Sequence, residues 1–324
     1  MSCPRILSCL TATAAVFALL TVCLIPTAAA DSPGTNFPFP QPLQHPADLL
    51  ELPQVGDDID AYLKYPVPRP PGEIKELAVT EDEVCALTHG GLLYCWEFGV
   101  DDELLLFTGM LAAITAGTHH FCGLDSASRA VCWDDRAASE GAPNPPLSDI
   151  AAGDAHSCAV DTTGEVTCWG RQLDADHRNP PDGPFQHIEA GGPNTCATAA
   201  WDYAKCWGPN LPDAPFDHPV HKLSVSSNVV CAIDGANRPH CQFADDVRQF
   251  DPPAPIAIDV AAGADFACTL DTTSSIACDG TAAPDLPETP PLSTIIDASD
   301  TTLCAVTATG GVRCWDQTGE ILGY

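Results

Sequence analysis

Seven pairs of cysteines stand ten positions apart: Cys85 and Cys95, Cys122 and Cys132, Cys158 and Cys168, Cys196 and Cys206, Cys231 and Cys241, Cys268 and Cys278, and Cys304 and Cys314. The first cysteines of successive pairs are 35 to 38 residues apart, and a fixed period of that size marks a repeat architecture. The clearest unit, IAAGDAHSCAVDTTGEVTCWG from Ile150 to Gly170, reads as an aliphatic strand, a small-residue turn and a hairpin. With DTTGE as the hairpin loop, Val160 faces Val166 and Cys158 faces Cys168. Directly opposed antiparallel residues have Cβ atoms roughly 4.5–5.5 Å apart, within disulfide reach after slight adjustment. The chain has 17 cysteines, and Cys3, Cys9 and Cys23 precede the repeats, which leaves two for each unit. Zinc-binding cysteines come about two to four positions apart, and no pair in the repeats is that close. The spacing predicts seven hairpin disulfides, with no metal and no other cofactor.

Other columns hold the same register. Eight residues before each first cysteine stands Leu77, Ile114, Ile150, Ile188, Leu223, Val260 or Ile296. Six before stands a small or β-branched residue: Val79, Ala116, Ala152, Ala190, Val225, Ala262 or Ala298. Spacing of two is strand spacing, with both side chains on one face. Glycine stands five before in Gly117, Gly153, Gly191 and Gly263, where it is expected to let the chain turn into the next strand without a Cβ clash. A tryptophan follows the second cysteine in five units, and Gln242 and Asp279 break that column.

The flanks differ in kind. Arg5 precedes an apolar run from Ile6 to Ile25, and Ala28-Ala29-Ala30 offers a small-residue cleavage site before Asp31. Residues 1–30 are therefore expected to be a signal peptide, with lipid attachment through Cys23 as the weaker alternative. A secreted, periplasmic or extracellular location follows, where disulfides persist. Residues 31–72 form a proline-rich lead-in, partly disordered, since proline at this density resists regular helix and strand pairing. Residues 73–324 hold the seven units, joined by proline- and aspartate-rich connections without sustained helical periodicity.

Short strands at regular spacing predict an all-β closed array. A β-propeller with seven blades fits the count, and an open β-solenoid is the second choice. The run Ile-x-Ala-Gly, His-Ser-Cys-Ala-Val, a glycine-containing turn and Trp-Gly resembles the regulator of chromosome condensation repeat. The resemblance covers nearly all of 73–324, best in the third unit and worst in the fifth, and implies a seven-bladed propeller. Prolines and aspartates replace the family's glycine-rich segment after Trp-Gly, so blades of three firm strands with a short or absent fourth are expected.

Acidic residues number 44 against 13 basic, a formal net charge of −31. Such a surface repels nucleic acid and anionic membrane and favours cationic partners. His120 and His156 share one repeat position and are read as structural, and no shared polar column marks a catalytic site. The carboxylate groups Asp101-Asp102-Glu103, Asp134-Asp135, Asp174 with Asp176, and Asp245-Asp246 lack a calcium-loop order. The sequence therefore predicts a non-catalytic extracellular scaffold that binds a protein or glycan through its loops. Exported β-lactamase-inhibiting members of the resembled superfamily set a precedent. The alternative is an extracellular enzyme with its site in the central channel. Candidate partner-binding residues lie in the connections: Phe107, Phe185, Phe216, Phe250, Asp182 and Asp217.

Overall fold

A computed structural model describes residues 73–324, apart from 100–102, 109–110, 134–140, 145, 172, 174–176, 178, 200–202, 245–255 and 324. The expected signal peptide, the lead-in, Cys23 and Phe250 lie outside the described residues.

The described residues form seven antiparallel sheets in chain order. Blade 1 comprises β1 (Ile74–Val79), β2 (Glu83–Thr88), β3 (Leu92–Glu97) and β4 (Glu103–Thr108). Blade 2 comprises β5 (Leu111–Ala116), β6 (Phe121–Asp125) and β7 (Ala130–Trp133), and blade 3 β8 (Leu147–Ala152), β9 (His156–Asp161) and β10 (Val166–Gly170). Blade 4 comprises β11 (His187–Gly191), β12 (Asn194–Thr198) and β13 (Lys205–Trp207), and blade 5 β14 (Val220–Val225), β15 (Val229–Asp234) and β16 (Pro239–Phe243). Blade 6 comprises β17 (Ala257–Ala262), β18 (Phe266–Asp271) and β19 (Ile276–Gly280). Blade 7 comprises β20 (Ser293–Ala298), β21 (Leu303–Thr307), β22 (Val312–Asp316) and β23 (Gly319–Gly323). Among the described residues, five blades thus have three strands and two have four, as the missing glycine-rich segment predicts.

The hairpin turns explain the register. Six residues after the first cysteine, the backbone has positive φ in Gly91, Ser128, Gly164, Asn237, Ser274 and Gly310. Glycine or a short polar side chain is what that conformation tolerates. Asp161 caps its own turn through Oδ1, which accepts the Thr163 and Glu165 amides at 2.7 and 3.1 Å. With the turn so set, Cys158 pairs with Cys168 and Val160 with Val166.

All seven disulfides form within their blades, with Cα atoms 4.0–4.1 Å apart. Cys85 bonds Cys95, Cys122 bonds Cys132, Cys158 bonds Cys168 and Cys196 bonds Cys206. Cys231 bonds Cys241, Cys268 bonds Cys278 and Cys304 bonds Cys314. In six of the seven bridges the two halves are not alike. Every first cysteine sits in a middle strand at 0% exposure. Among the second cysteines, Cys314 is equally buried at 0% and Cys95, Cys206 and Cys241 are buried at 3–5%, whereas Cys132, Cys168 and Cys278 are half-buried. In blades 1 to 6 the bridge therefore ties a more open third strand to the buried centre of the blade.

The core sits between blades. Seven apolar clusters each join two neighbouring sheets, and they run in order around the ring. The middle strands are buried almost throughout, as in β15 and β6, because both faces meet a neighbour. That is why they read as continuous apolar runs. The last cluster places Ile74, Leu77, Tyr94 and Trp96 of blade 1 against Val306, Val312 and Leu322 of blade 7. Among the described residues the ring closes by packing, with no strand exchanged between the two ends of the repeat array.

The glycine column avoids a Cβ clash, as expected, but the clash is with a neighbouring blade or an adjacent ring. A Cβ on Gly117 would lie 2.0 Å from the Gly153 carbonyl oxygen, and one on Gly191 would lie 2.0 Å from that of Val225. On Gly153 and Gly263 it would meet the rings of His156 and Phe266 at 2.2 and 2.0 Å. None of the four has a positive φ. Close approach of blade to blade and of ring to backbone, rather than a turn conformation, demands glycine there.

Candidate functional site

The inner strands β1, β5, β8, β11, β14, β17 and β20 surround the axis, and near their starts they line a cavity of about 420 Å³. Its polar lining includes Glu76, Asp149, Glu189, Asp259 and Asp297 together with His187 and Lys222. These acids are held by the repeat itself. Nine residues before the first cysteine, Glu76, Asp149 and Asp259 accept the next blade's amides at Ile114, Ile188 and Ile296, at 2.9, 3.0 and 3.1 Å. Seven before, Thr115, Ser224 and Asp297 accept those of Ala152, Ala262 and Val79, at 3.3, 2.9 and 3.1 Å. Six of the seven blade boundaries, including the closing one, thus carry a side-chain acceptor on a neighbouring backbone N–H. Such acceptors satisfy strand-edge donors that burial between blades would otherwise strand.

Glu189 occupies the corresponding place at the boundary of blades 4 and 5. Burial, and then the charges of Asp149 and Asp297, push its carboxyl well above the ordinary range. Burial, opposed by the Ala298 and Val79 amides and assisted by the Asp259 charge, raises Asp297 to about 7. Its hydrogen bond with Asp149 raises His187. Lys222 lies 2.5 Å from Asp259, whose side chain is 6% exposed. The mouth is therefore a mixed acid–base lining whose carboxylates mostly hold blades together.

The other end is narrow. Asp300 of blade 7 accepts the Ser227 amide of blade 5 at 3.1 Å and the Ser227 hydroxyl. A cavity of about 40 Å³ remains there, lined by Gly117, Gly191, Gly192 and Asp300 among others. Outside the axis, His120 and His156 are buried and bond Ser157 and Thr195 of the next blade at 3.0 and 2.8 Å, a structural use.

The candidate loop residues fall into different environments. Asp182 and Asp217 are exposed. Phe185 and Phe216 are buried at 5% and 6% exposure, in the clusters of blades 3 and 4 and of blades 4 and 5. Phe185 lies against Trp207, with the Lys205 ammonium 5.5 Å from its ring centroid. The connections double back over the blades they join, so these two rings fill the core rather than face a partner. Phe107 lies in β4, opposite Leu93, and Phe250 lies outside the described residues. Among the described residues, the exposed large apolar side chains are instead Tyr203, Ile256, Ile258 and Leu292, at 45–59%.

The inner-strand acceptors escape a column-by-column reading because they alternate between two positions. Where the ninth position is acidic, the seventh is alanine, as in Glu76 with Ala78, Asp149 with Ala151 and Asp259 with Ala261. Reading the two positions together would have found them.

Fold and stapling define a class: a seven-bladed β-propeller of small blades, each closed by one disulfide. The third blade's unit, residues 147–173, matches the model of the Regulator of chromosome condensation (RCC1) repeat. Among solved structures, the chain is similar to the ectodomain of the Physcomitrella patens receptor kinase CR4. The two share 22% identity and a TM-score of 0.62 over 76% of this chain and 73% of that one. The CRINKLY WD40 ectodomain of the Arabidopsis thaliana receptor kinase ACR4 gives 21% identity and a TM-score of 0.62, over 78% and 98%. Human WBSCR16 gives 12% identity and a TM-score of 0.52, over 68% and 78%. These likenesses establish the fold. No curated protein sequence matches the chain.

Proposed function

We propose that the chain is an exported, non-catalytic interaction scaffold whose loops dock a protein partner with a basic surface. The observation that carries this reading is a division of labour. The repeat columns are internal and committed to blade packing, whereas the exposed large apolar residues stand in loops, Tyr203 in the β12–β13 hairpin and Ile256 and Leu292 in the connections. Loops on a rigid frame are where such folds place recognition. The formal charge of −31 favours a cationic partner, and seven disulfides suit an oxidising compartment. The receptor-kinase neighbours are ectodomains by their own descriptions, which agrees with a use outside the cell.

The test is kinetic. With a partner captured from the native extracellular fluid, Tyr203→Ala and Leu292→Ala should speed dissociation. Neutralising Asp182 or Asp217 should mainly slow association and flatten its salt dependence. If all four variants bind like the wild type while changes in residues 31–72 abolish binding, the propeller is only a support and the reading fails.

A second reading, catalysis in the channel, draws on Asp297, whose raised pKa of about 7 suits a general acid. Its commitment to the Val79 amide at the closing blade boundary favours the scaffold.

A further inference from the structure

Blade 5 departs most from the repeat pattern, and it gathers a group of side chains that its fold does not require. His218 stands two residues before β14, Asp234 ends β15, and His240 lies in β16. The pairings Val220 with Asp234 and Ala232 with His240 bring all three to one end of one sheet. It is the end at which the channel opens, since the strands adjoining Val220 start there. Each residue has a donor atom within 4.8 Å of those of the other two.

We propose that His218, Asp234 and His240 form a binding site for one divalent transition-metal ion of the zinc class. Two imidazoles and a carboxylate are the donor set such ions take. The Asp234 Oδ2 to His240 Nε2 distance is 3.3 Å. Two ligands at about 2.0–2.1 Å from a tetrahedral ion lie roughly 3.3–3.4 Å apart, so this pair already spans such an ion.

His218 supplies the independent observation. Its Nδ1 lies 2.9 Å from Asp217 Oδ1, and a carboxylate can only accept, so the proton sits on Nδ1. That leaves a lone pair on Nε2. This atom is buried and has no hydrogen-bond partner among the described residues. A carboxylate on the rear nitrogen is the arrangement that fixes the tautomer and raises the basicity of metal-bound histidine. The two imidazole centroids are 4.1 Å apart, so a small rotation of His218 brings its Nε2 to the shared point.

The repeat comparison separates the site from the scaffold. Asp125, Asp161 and Asp271 occupy the place of Asp234 and cap their own turns, so this carboxylate belongs to the blade. No other repeat has histidine at the place of His218 or of His240. Arg238 also bonds Asp234 Oδ2, at 2.8 Å through Nε, but its side chain is 65% exposed and free to swing outward. On binding, the ion replaces the hydrogen bond between His240 and Asp234. The proton on His240 Nε2 passes through solvent to Nδ1, so the imidazole binds as the neutral Nδ1–H tautomer, and water completes the coordination.

The experiment uses the full chain, oxidised and freed of metal with a chelator. Zn²⁺ is titrated by calorimetry and Co²⁺ by visible absorption. One ion per chain should bind, with a tetrahedral Co²⁺ spectrum. His218→Ala and His240→Ala should each weaken binding at least ten-fold and leave the metal-free unfolding temperature unchanged. His187→Ala, at an exposed histidine elsewhere, should bind as the wild type does. Should His240→Ala fail to fold, His218→Ala, which lies outside the strands, decides alone. Absence of saturable binding, or binding that survives His218→Ala, overturns the proposal. Partner capture plays no part in this test, so its outcome is independent of the scaffold reading.

Discussion

Replacing Gly263 tests whether ring-to-backbone contact, and not a turn, sets the glycine column. The three nearest atoms to a Cβ at Gly263 all belong to Phe266, at 2.0, 2.4 and 2.5 Å, and Phe266 is 0% exposed. In Gly263→Ala the ring must retreat by over an ångström inside a packed interface. Overpacking of that severity costs about 3 kcal/mol, the upper part of the usual range. For a domain of this size that lowers the unfolding temperature by about 6–12 °C. Phe266→Val alone opens a cavity and should cost about 2–3 kcal/mol.

Other blades show the compensated solution. In blade 5 the pair is Ser226 and Val229, where the serine Oγ accepts the Val229 amide at 3.1 Å and donates to the Gly263 carbonyl at 2.7 Å. In blade 7 it is Ser299 and Thr302, with the corresponding bond at 3.2 Å. The double variant Gly263→Ser with Phe266→Val should therefore be about 2–3 kcal/mol more stable than the sum of its singles. Thermal and urea unfolding of the oxidised protein measure this. Additivity within about 0.5 kcal/mol would show that the ring is not what excludes a Cβ, and would refute the argument.

Three further expectations follow. Peptide mapping without reduction should recover only within-blade bridges, and Cys158→Ala with Cys168→Ala should cost about 2–3 kcal/mol for a ten-residue closure; bridges between blades would contradict the register. Asp259→Ala strands the Ile296 amide and the Lys222 ammonium and should cost about 3–5 kcal/mol, whereas Lys222→Met should cost far less; equal losses in urea unfolding would deny Asp259 its place as a blade clamp. Asp297, raised from 3.8 to about 7, keeps a proton in the native state that the unfolded chain has released, so stability should fall as pH rises across that window and then level off. In Asp297→Asn the slope should shrink, and an unchanged slope of unfolding temperature against pH would assign the effect elsewhere.

The blade count, the staples and the strand registers were legible because each rests on a single column, such as Cys158 with Cys168. What stayed hidden rests on pairs of columns or on the path of a connection. Glu76 and Asp297 do the same work from places two residues apart, so neither column looks polar. Gly263 makes sense only beside Phe266, and Ser226 only beside Val229. Phe185 and Phe216 look like surface aromatics because prolines and aspartates surround them. Their burial depends on the connection folding back over its own blade, which no periodicity records. His218 and His240 are separated by β14 and β15, and only the sheet brings them together.

Closure of the ring by packing between blades 7 and 1 bears on how the molecule carries mechanical load. Tension on the chain end would first peel β23 from β22, since nothing covalent joins them. It would then reach Cys314, whose bond to Cys304 passes the force directly to β21. The residues between those sulfurs cannot be drawn out, and the same holds in every blade. Extension should therefore proceed blade by blade from the terminus, in steps each shortened by the length of one locked hairpin. Reducing agent would restore the full contour length. Each blade behaves as a link of fixed hidden length, and the ring opens at the seam between blades 7 and 1.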